Sequence, residues 1–218
     1  SMPFFGIIAI SATFVVTLGE IDLSFPSIVG ITSLTFGMLL TGTEGNFFIS
    51  FALATALGMF AGLVNGLLVT KIGIPSIVAT IGTLFFWRGL VNVISQGSGI
   101  AIVDEADGTW HHTIFVDKLF DTIPAQFIWF VALTGLMQWV YRYHKFGNHI
   151  HFVGDNKASA QMMGINVDRV KIIAFVQLGF FSALAGIFTM YEMLYFWPTQ
   201  GSGLMLTTLA AVFVGGTS

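Results

Sequence analysis

The chain has 218 residues, of which 55% are apolar, 15% aromatic and only 9% charged, with mean hydropathy +0.86 and formal net charge −3. Soluble domains carry about 25% charged residues, so this composition excludes the ordinary soluble class, and the small net charge offers nothing to nucleic acid. The absence of cysteine excludes disulfides, cysteine-ligated zinc and thiol chemistry.

The apolar runs are long, rich in Gly, Ala, Phe and Leu, and lack the ten-residue alternation of a membrane barrel. They predict membrane helices. A first span is expected over 3–19, followed by the polar cluster GEIDLS at 19–24. A second covers 26–41, and TGTEGN at 41–46 is turn chemistry. A third covers 47–69. In it Ala54, Gly58, Gly62 and Gly66 recur every four residues and mark a close-packing face. KIGIP breaks the pattern, Pro75 suits an early helical position, and a fourth span is expected over 76–95 with Arg88 near its far end.

Residues 96–124 form an acidic loop, in which Asp104, Glu105, Asp107, Asp117 and Asp121 face Lys118 alone. A fifth span is expected over 125–141 and a sixth over 172–193. WPTQGSG at 197–203 then breaks the chain, and 204–218 begin a seventh apolar segment. The loop 144–171, with the flanking Arg142, holds five of the eight Lys and Arg residues. The positive-inside rule makes it cytoplasmic and 96–124 external. PFFGIIAISATFVVTLG at the start lacks a basic lead and is no signal peptide. The other end stops within an apolar run, so both ends read as cuts through a larger membrane protein.

No catalytic set emerges, and the phosphate-binding loop G-x-x-x-x-G-K-[ST] is missing from the sequence. His111-His112 read as ordinary loop residues rather than metal ligands, because adjacent side chains point apart. His149 and His151 read as surface residues of an extended segment. Arg88 reads as an interfacial anchor, its long stem letting the charge snorkel. Glu20 and Asp22 lie between apolar spans, where an ionised group needs water, a helix end or a cation. Asp22 or Ser24 is placed to cap the second helix. The same cluster suits a broken helix lining a permeation path. Asn65 reads as an interhelical hydrogen bond. Within 144–171, Gly154-Asp155-Asn156 gives cap chemistry, KASAQMM makes about two helical turns, and Gly164 ends them. Ala158, Met162 and Ile165 share a face suited to a partner's groove.

Four segments carry a resemblance. GEIDLS at 19–24 is similar to G-G-I-D-L-S, with Glu20 in place of Gly. NGLLVTKIGIPSIVATIGTLFFWRGL at 65–90 resembles N-G-x-L-V…I-P-x-F-I-x-T-L-G-T…R-G-L. FGNHIHFVGDNKASAQMMGIN at 146–166 resembles F-G-R-x-x-Y-A-I-G-G-N-x-x-A-A-R-x-x-G-I-N. GSGLMLTTLAAVFVGGTS at 201–218 resembles G-x-G-x-E-L-x-x-I-A-A-V-V-I-G-G-T-S. In this order they resemble the permease subunits of bacterial ABC importers for monosaccharides of the ribose, xylose and galactose type. Asn148 and Gln161 stand where that family usually has Arg, and Met205 where Glu is frequent.

The resemblance implies an all-α integral membrane protein in the bacterial inner membrane: one permease domain over 1–218, about six full spans plus a partial seventh, and a short cytoplasmic coupling helix. It implies a second permease subunit, a cytoplasmic ATPase that uses the ATP, and a periplasmic or lipid-anchored sugar-binding protein. Membrane lipid surrounds it, and no cofactor, metal or nucleic acid is expected on this chain. Contact with the ATPase is expected at Gly154, Asp155, Asn156, Ala158, Ala160, Gln161, Met162 and Gly164. The translocation path is expected at Glu20, Asp22, Ser24 and Asn65. Two other readings remain at this point: a related permease for nucleosides, branched-chain amino acids or a furanosyl signal, and an ATP-independent secondary transporter using Glu20 and Asp22.

Overall fold

The computed structural model describes residues 2–43, 45–119 and 123–215. Asp121 and the final Gly-Thr-Ser of the last resembling segment lie outside the described residues. The long helices are α1 (Met2–Thr17), α2 (Phe25–Gly42), α3 (Phe47–Leu67, prolonged by a π-helical turn at Leu68–Ile72) and α4 (Ser76–Ser95). After them come α5 (Val103–Ala106), α6 (Trp110–Phe115), α7 (Ala125–Tyr143), α8 (Lys145–Asp155), α9 (Lys157–Met162), α10 (Val167–Met193) and α11 (Leu204–Val214). Among the described residues strand is confined to two small antiparallel pairs. β1 (Ile100–Ala101) pairs with β4 (Tyr195–Phe196), and β2 (Lys118–Leu119) with β3 (Ile123–Pro124).

A membrane helix needs about 20 mostly apolar residues. Among the described residues four helices satisfy this: α2, α3 with its π turn, α4 and α10. The seven segments expected from the sequence fall on α1, α2, α3, α4, α7, α10 and α11, and only those four of them are long and apolar enough to cross. Of the remaining three, α1 and α11 are apolar but short, and α7 is diluted by Gln126, Gln138 and Arg142. Burial separates the layers. The apolar windows of α2 and α10 are 72% and 67% buried, those of α3 and α4 only 33% and 28%. α2 and α10 therefore form the inner pair. α3 and α4 turn Phe48, Phe60, Phe85 and Val93 outward.

α3 meets α10 backbone to backbone. A Cβ on Gly62 would stand 2.2 Å from the Phe175 carbonyl oxygen, and one on Gly58 2.6 Å from that of Gly179. The four-residue period of small side chains thus becomes a groove for the longest helix, as the spacing predicts. α4 begins and ends at the expected residues, but Pro75 is its N-cap rather than an early helical residue.

The loop 144–171 differs most from expectation. Residues 145–155 are a helix with Gly147, Ile150 and Val153 buried at three-residue spacing. His149 and His151 are therefore helical, not extended. α10 begins at Val167 because Asn166 accepts a hydrogen bond from the Arg169 N–H at 2.9 Å, so residues 167–171 belong to the helix.

Gly62→Ala is expected to cost about 1–3 kcal/mol by overpacking. Gly82→Ala on α4, where nothing lies within 4 Å, is expected to gain about 0.5–1 kcal/mol. Thermal unfolding of the two variants in detergent checks the contrast.

Candidate functional site

Between α1 and α2 the chain leaves the helix but stays inside the bundle. Gly19 and Glu20 close α1 through N–H bonds to the Val16 and Val15 carbonyls. Beyond them the backbone groups find side chains of α4. The Ile21 N–H donates to Ser76 Oγ and the Leu23 N–H to Thr80 Oγ1, each at 3.1 Å. Thr80 is fully buried and donates its own hydroxyl to the Ser76 carbonyl at 2.7 Å. Ser76, Thr80 and Thr83 follow a four- then three-residue spacing on one face of α4, and all three are buried.

Asp22, Ser24 and Asn65 come together in one network. Asp22 Oδ1 accepts from the Ser24 N–H at 2.6 Å and from Ser24 Oγ at 2.7 Å. Asp22, rather than Ser24, therefore receives an N–H at the start of α2. Asn65 Nδ2 donates to Asp22 Oδ2 at 3.0 Å and to Ser24 Oγ at 2.7 Å, and Thr83 Oγ1 donates to Asn65 Oδ1 at 2.7 Å. Both amide protons and the amide oxygen of Asn65 are engaged. The interhelical reading of Asn65 and the capping reading of Asp22 describe the same cluster.

Glu20 lies apart from it. Its carboxylate hydrogen-bonds the Lys171 ammonium of α10, and Lys157 Nζ of α9 stands 3.5 Å away. Burial alone would push this carboxyl up. The hydrogen bonds from Lys171 and Ser76 and the charges of Lys171 and Lys157 outweigh it and hold Glu20 below its usual range. The four residues expected on one path are thus divided between the Asp22–Ser24–Asn65 cluster and a buried Glu20 that is ion-paired to lysines.

Arg88 is tied into the protein rather than left free to snorkel. Its Nη1 donates to the Pro198 and Gln200 carbonyls, both at 2.9 Å, and Nη2 to the Pro26 carbonyl at 3.2 Å. It joins the start of α2 to the turn at 197–203. Gly201 permits that contact. Its φ is +86°, and a Cβ there would stand 2.3 Å from the Pro26 carbonyl oxygen. Two breaks in the helical path, at 19–24 and 197–203, therefore meet at α2 and α4. Ser76, Thr80, Thr83, Lys171 and Arg88 carry this arrangement, and of their signals only the hydroxyl spacing on α4 is legible beforehand.

α9, next to Glu20 through Lys157, is short and lightly packed. Asn156 caps it by accepting from the Ser159 N–H at 2.9 Å. Gly164, at φ +81°, and Ile165 donate to the Gln161 and Ala160 carbonyls, which is a Schellman ending. Ala158, Gln161 and Met162 are exposed, Met162 by 82%, whereas Ala160 is buried and faces inward. Gly154 and Asp155 end α8 instead of starting α9, and they border a cleft of about 740 Å³ with Thr17, Tyr141 and His151.

His111 departs from its expected place in a solvated loop. It is buried, its Nδ1 lies 2.9 Å from both Tyr191 Oη and Thr109 Oγ1, and its ring stacks on Phe47. Burial, then the charge of His112, holds its imidazole below the usual value. Among the described residues no group of three or more His, Cys, Asp or Glu could hold a metal ion.

All 218 residues match the family model described as branched-chain amino acid transport system / permease component. The autoinducer 2 import system permease protein LsrC of Photorhabdus luminescens is 34% identical over 213 residues, which cover 97% of this chain and 62% of that protein. Its namesakes in Yersinia pseudotuberculosis and Yersinia pestis are 35% identical, covering 97% of this chain and 59% of theirs. The chain spans about three fifths of the length of these curated relatives. No solved structure matches it.

Thr80→Val keeps the shape and strands the Leu23 N–H in an apolar setting. A loss of about 1–3 kcal/mol is expected, with Thr80→Ser recovering most of it; melting in detergent reads both. His111 titrates in the opposite sense to an ion-paired base. Its folded form prefers the neutral imidazole, so its contribution is complete above the ordinary value of 6.5 and declines as pH falls below it. Melting temperature is expected to drop between about pH 7 and 5, and to drop less in His111→Gln.

Proposed function

Since the chain belongs to the family of branched-chain amino acid transport system permease components, we propose that it is the transmembrane permease subunit of an ATP-binding-cassette importer. In this reading it carries a simple sugar or sugar-like solute inward, and a separate cytoplasmic ATPase supplies the driving force. The subunit itself performs no covalent chemistry. A second permease subunit completes the path, and an extracytoplasmic binding protein delivers the solute.

The observation that carries this reading is the non-helical stretch at 21–24. Irregular backbone inside a membrane bundle is tolerated where protein side chains or a water-filled path satisfy it. Transporters place such breaks where access changes. Here the break is joined through Arg88 to a second one. The carboxylates of Glu20 and Asp22 are already engaged by lysines and by Ser24 and Asn65. That favours an ATPase-driven permease over a carrier whose acids bind a coupling ion.

Six to seven membrane passes follow if α1, α7 and α11 cross together with the four long helices, in a multi-pass inner-membrane topology. α9 is then the coupling helix. Its contact surface is Ala158, Gln161 and Met162 with Lys157 at the edge, bounded by Asn156 and Gly164, while Ala160 holds the helix to the bundle. The segment resemblance favours a monosaccharide. The relatives' names favour autoinducer 2, and a panel holding both solutes separates the two choices.

Coupling requires that the ATPase contact one conformation of this helix better than another. Ala158→Glu and Met162→Glu alter only exposed positions. They are expected to lower solute-stimulated ATPase activity at least about tenfold, with membrane insertion and melting temperature retained. Unimpaired stimulation in both variants removes α9 from the docking role. Uptake driven by a proton or sodium gradient without ATP overturns the importer reading.

A further inference from the structure

We infer that Glu20 is a positioning residue that links α9 to the extended stretch, with Lys157 as the movable half of the link and Lys171 as the fixed half. The inference deepens the permease reading and rests on it. The two lysines meet one carboxylate from unlike settings. Lys171 is 12% exposed on α10, a largely buried helix. Lys157 is 52% exposed and opens α9, whose one buried residue is Ala160. α9 is bounded by the extended Asn156 and the left-handed Gly164. α9 meets the core through Ala160, whereas α10 buries residues along most of its length, so a shift of α9 disturbs far less packing than a shift of α10.

Glu20 is followed directly by the residues bonded to α4 and to Asn65. A displacement of α9 therefore reaches them through a single ion contact and the covalent chain. When Lys157 moves away, Lys171 still neutralises the carboxylate, so no buried charge is abandoned during the motion. A merely stabilising ion pair with one exposed partner would contribute little and would leave coupling untouched.

The test uses the full-length protein reconstituted with its ATPase and binding protein in vesicles, with labelled ribose and autoinducer 2 as probe solutes. ATP hydrolysed per solute taken up is expected to rise at least about fivefold in Lys157→Gln and in Glu20→Gln. Lys157→Arg keeps the ordinary ratio. Lys157→Gln is expected to melt within about 2 °C of the unmodified protein, whereas Lys171→Gln melts lower. These 218 residues contain no cysteine, so Glu20→Cys combined with Lys157→Cys, with any thiol elsewhere in the full-length protein replaced, offers a pair for a short, reducible bifunctional thiol reagent. Bridging is expected to hold α9 against the stretch and lower solute-stimulated hydrolysis below that of the unbridged double variant, and reduction to return it to the level of that variant. An unchanged ATP-to-solute ratio in Lys157→Gln, in an importer that transports normally, overturns the link and leaves the permease reading intact. If the unmodified importer shows no ATP-dependent uptake of either probe, the permease reading falls and the link with it.

Discussion

Peptide groups that leave the helix inside an apolar bundle must find partners among side chains. Residues 21–24 find them on α4, at Ser76 and Thr80, and in the carboxylate of Asp22. An unpaired N–H in hydrocarbon costs several kcal/mol, so the hydroxyl-bearing face of α4 is a condition of the break. Much else follows from that condition. α4 must lie along the stretch, Asn65 must reach Asp22 from α3, and α3 must approach α10 closely enough to keep Asn65 inside. The glycines at 58, 62 and 66 make that approach possible.

The two breaks are stabilised by different chemistry. At 21–24 the partners are hydroxyls, one amide and the Asp22 carboxylate, all on short side chains. At 197–203 the partner is a guanidinium, which gathers three carbonyls from two segments at once. The fork of an arginine presents several donors in one plane, which a lysine in the same place could not do. Charge of the opposite sign is handled just after α1, where Glu20 is shared by two lysines. The surface pair Lys71–Asp168, at 2.8 Å, is exposed on both sides and contributes little by comparison.

Periodicity makes much of the helical frame legible in the sequence. The bounds of α4 follow from a proline-led start and a polar end, and the α3 face from its four-residue rhythm of small side chains. α8 is misread because His149 and His151 alternate with apolar neighbours over a few residues. The three-residue spacing of Gly147, Ile150 and Val153 is the stronger signal. The early start of α10 hides in Asn166, a cap residue that looks like loop. Within the candidate site, Asp22 and Asn65 each stand out as polar residues beside apolar runs. Their meeting does not, because 43 residues separate them. Arg88 and His111 mislead for one common reason. Their partners are backbone carbonyls or a tyrosine on distant segments, and such pairings carry no local pattern. Family membership was legible from four short segments in order, each weak alone.

The bond between Ile21 and Ser76 spans 55 residues, and that separation bears on how the protein is made. Chains emerge from the N-terminus at about 5–20 residues per second. For several seconds after α1 and α2 leave the ribosome, the stretch between them has no α4 to lie against. During that interval its peptide groups must be satisfied by water or by the insertion machinery. The early hairpin therefore cannot settle in its final form until the fourth helix arrives. Helices α1 to α4 are in this sense one unit of biogenesis.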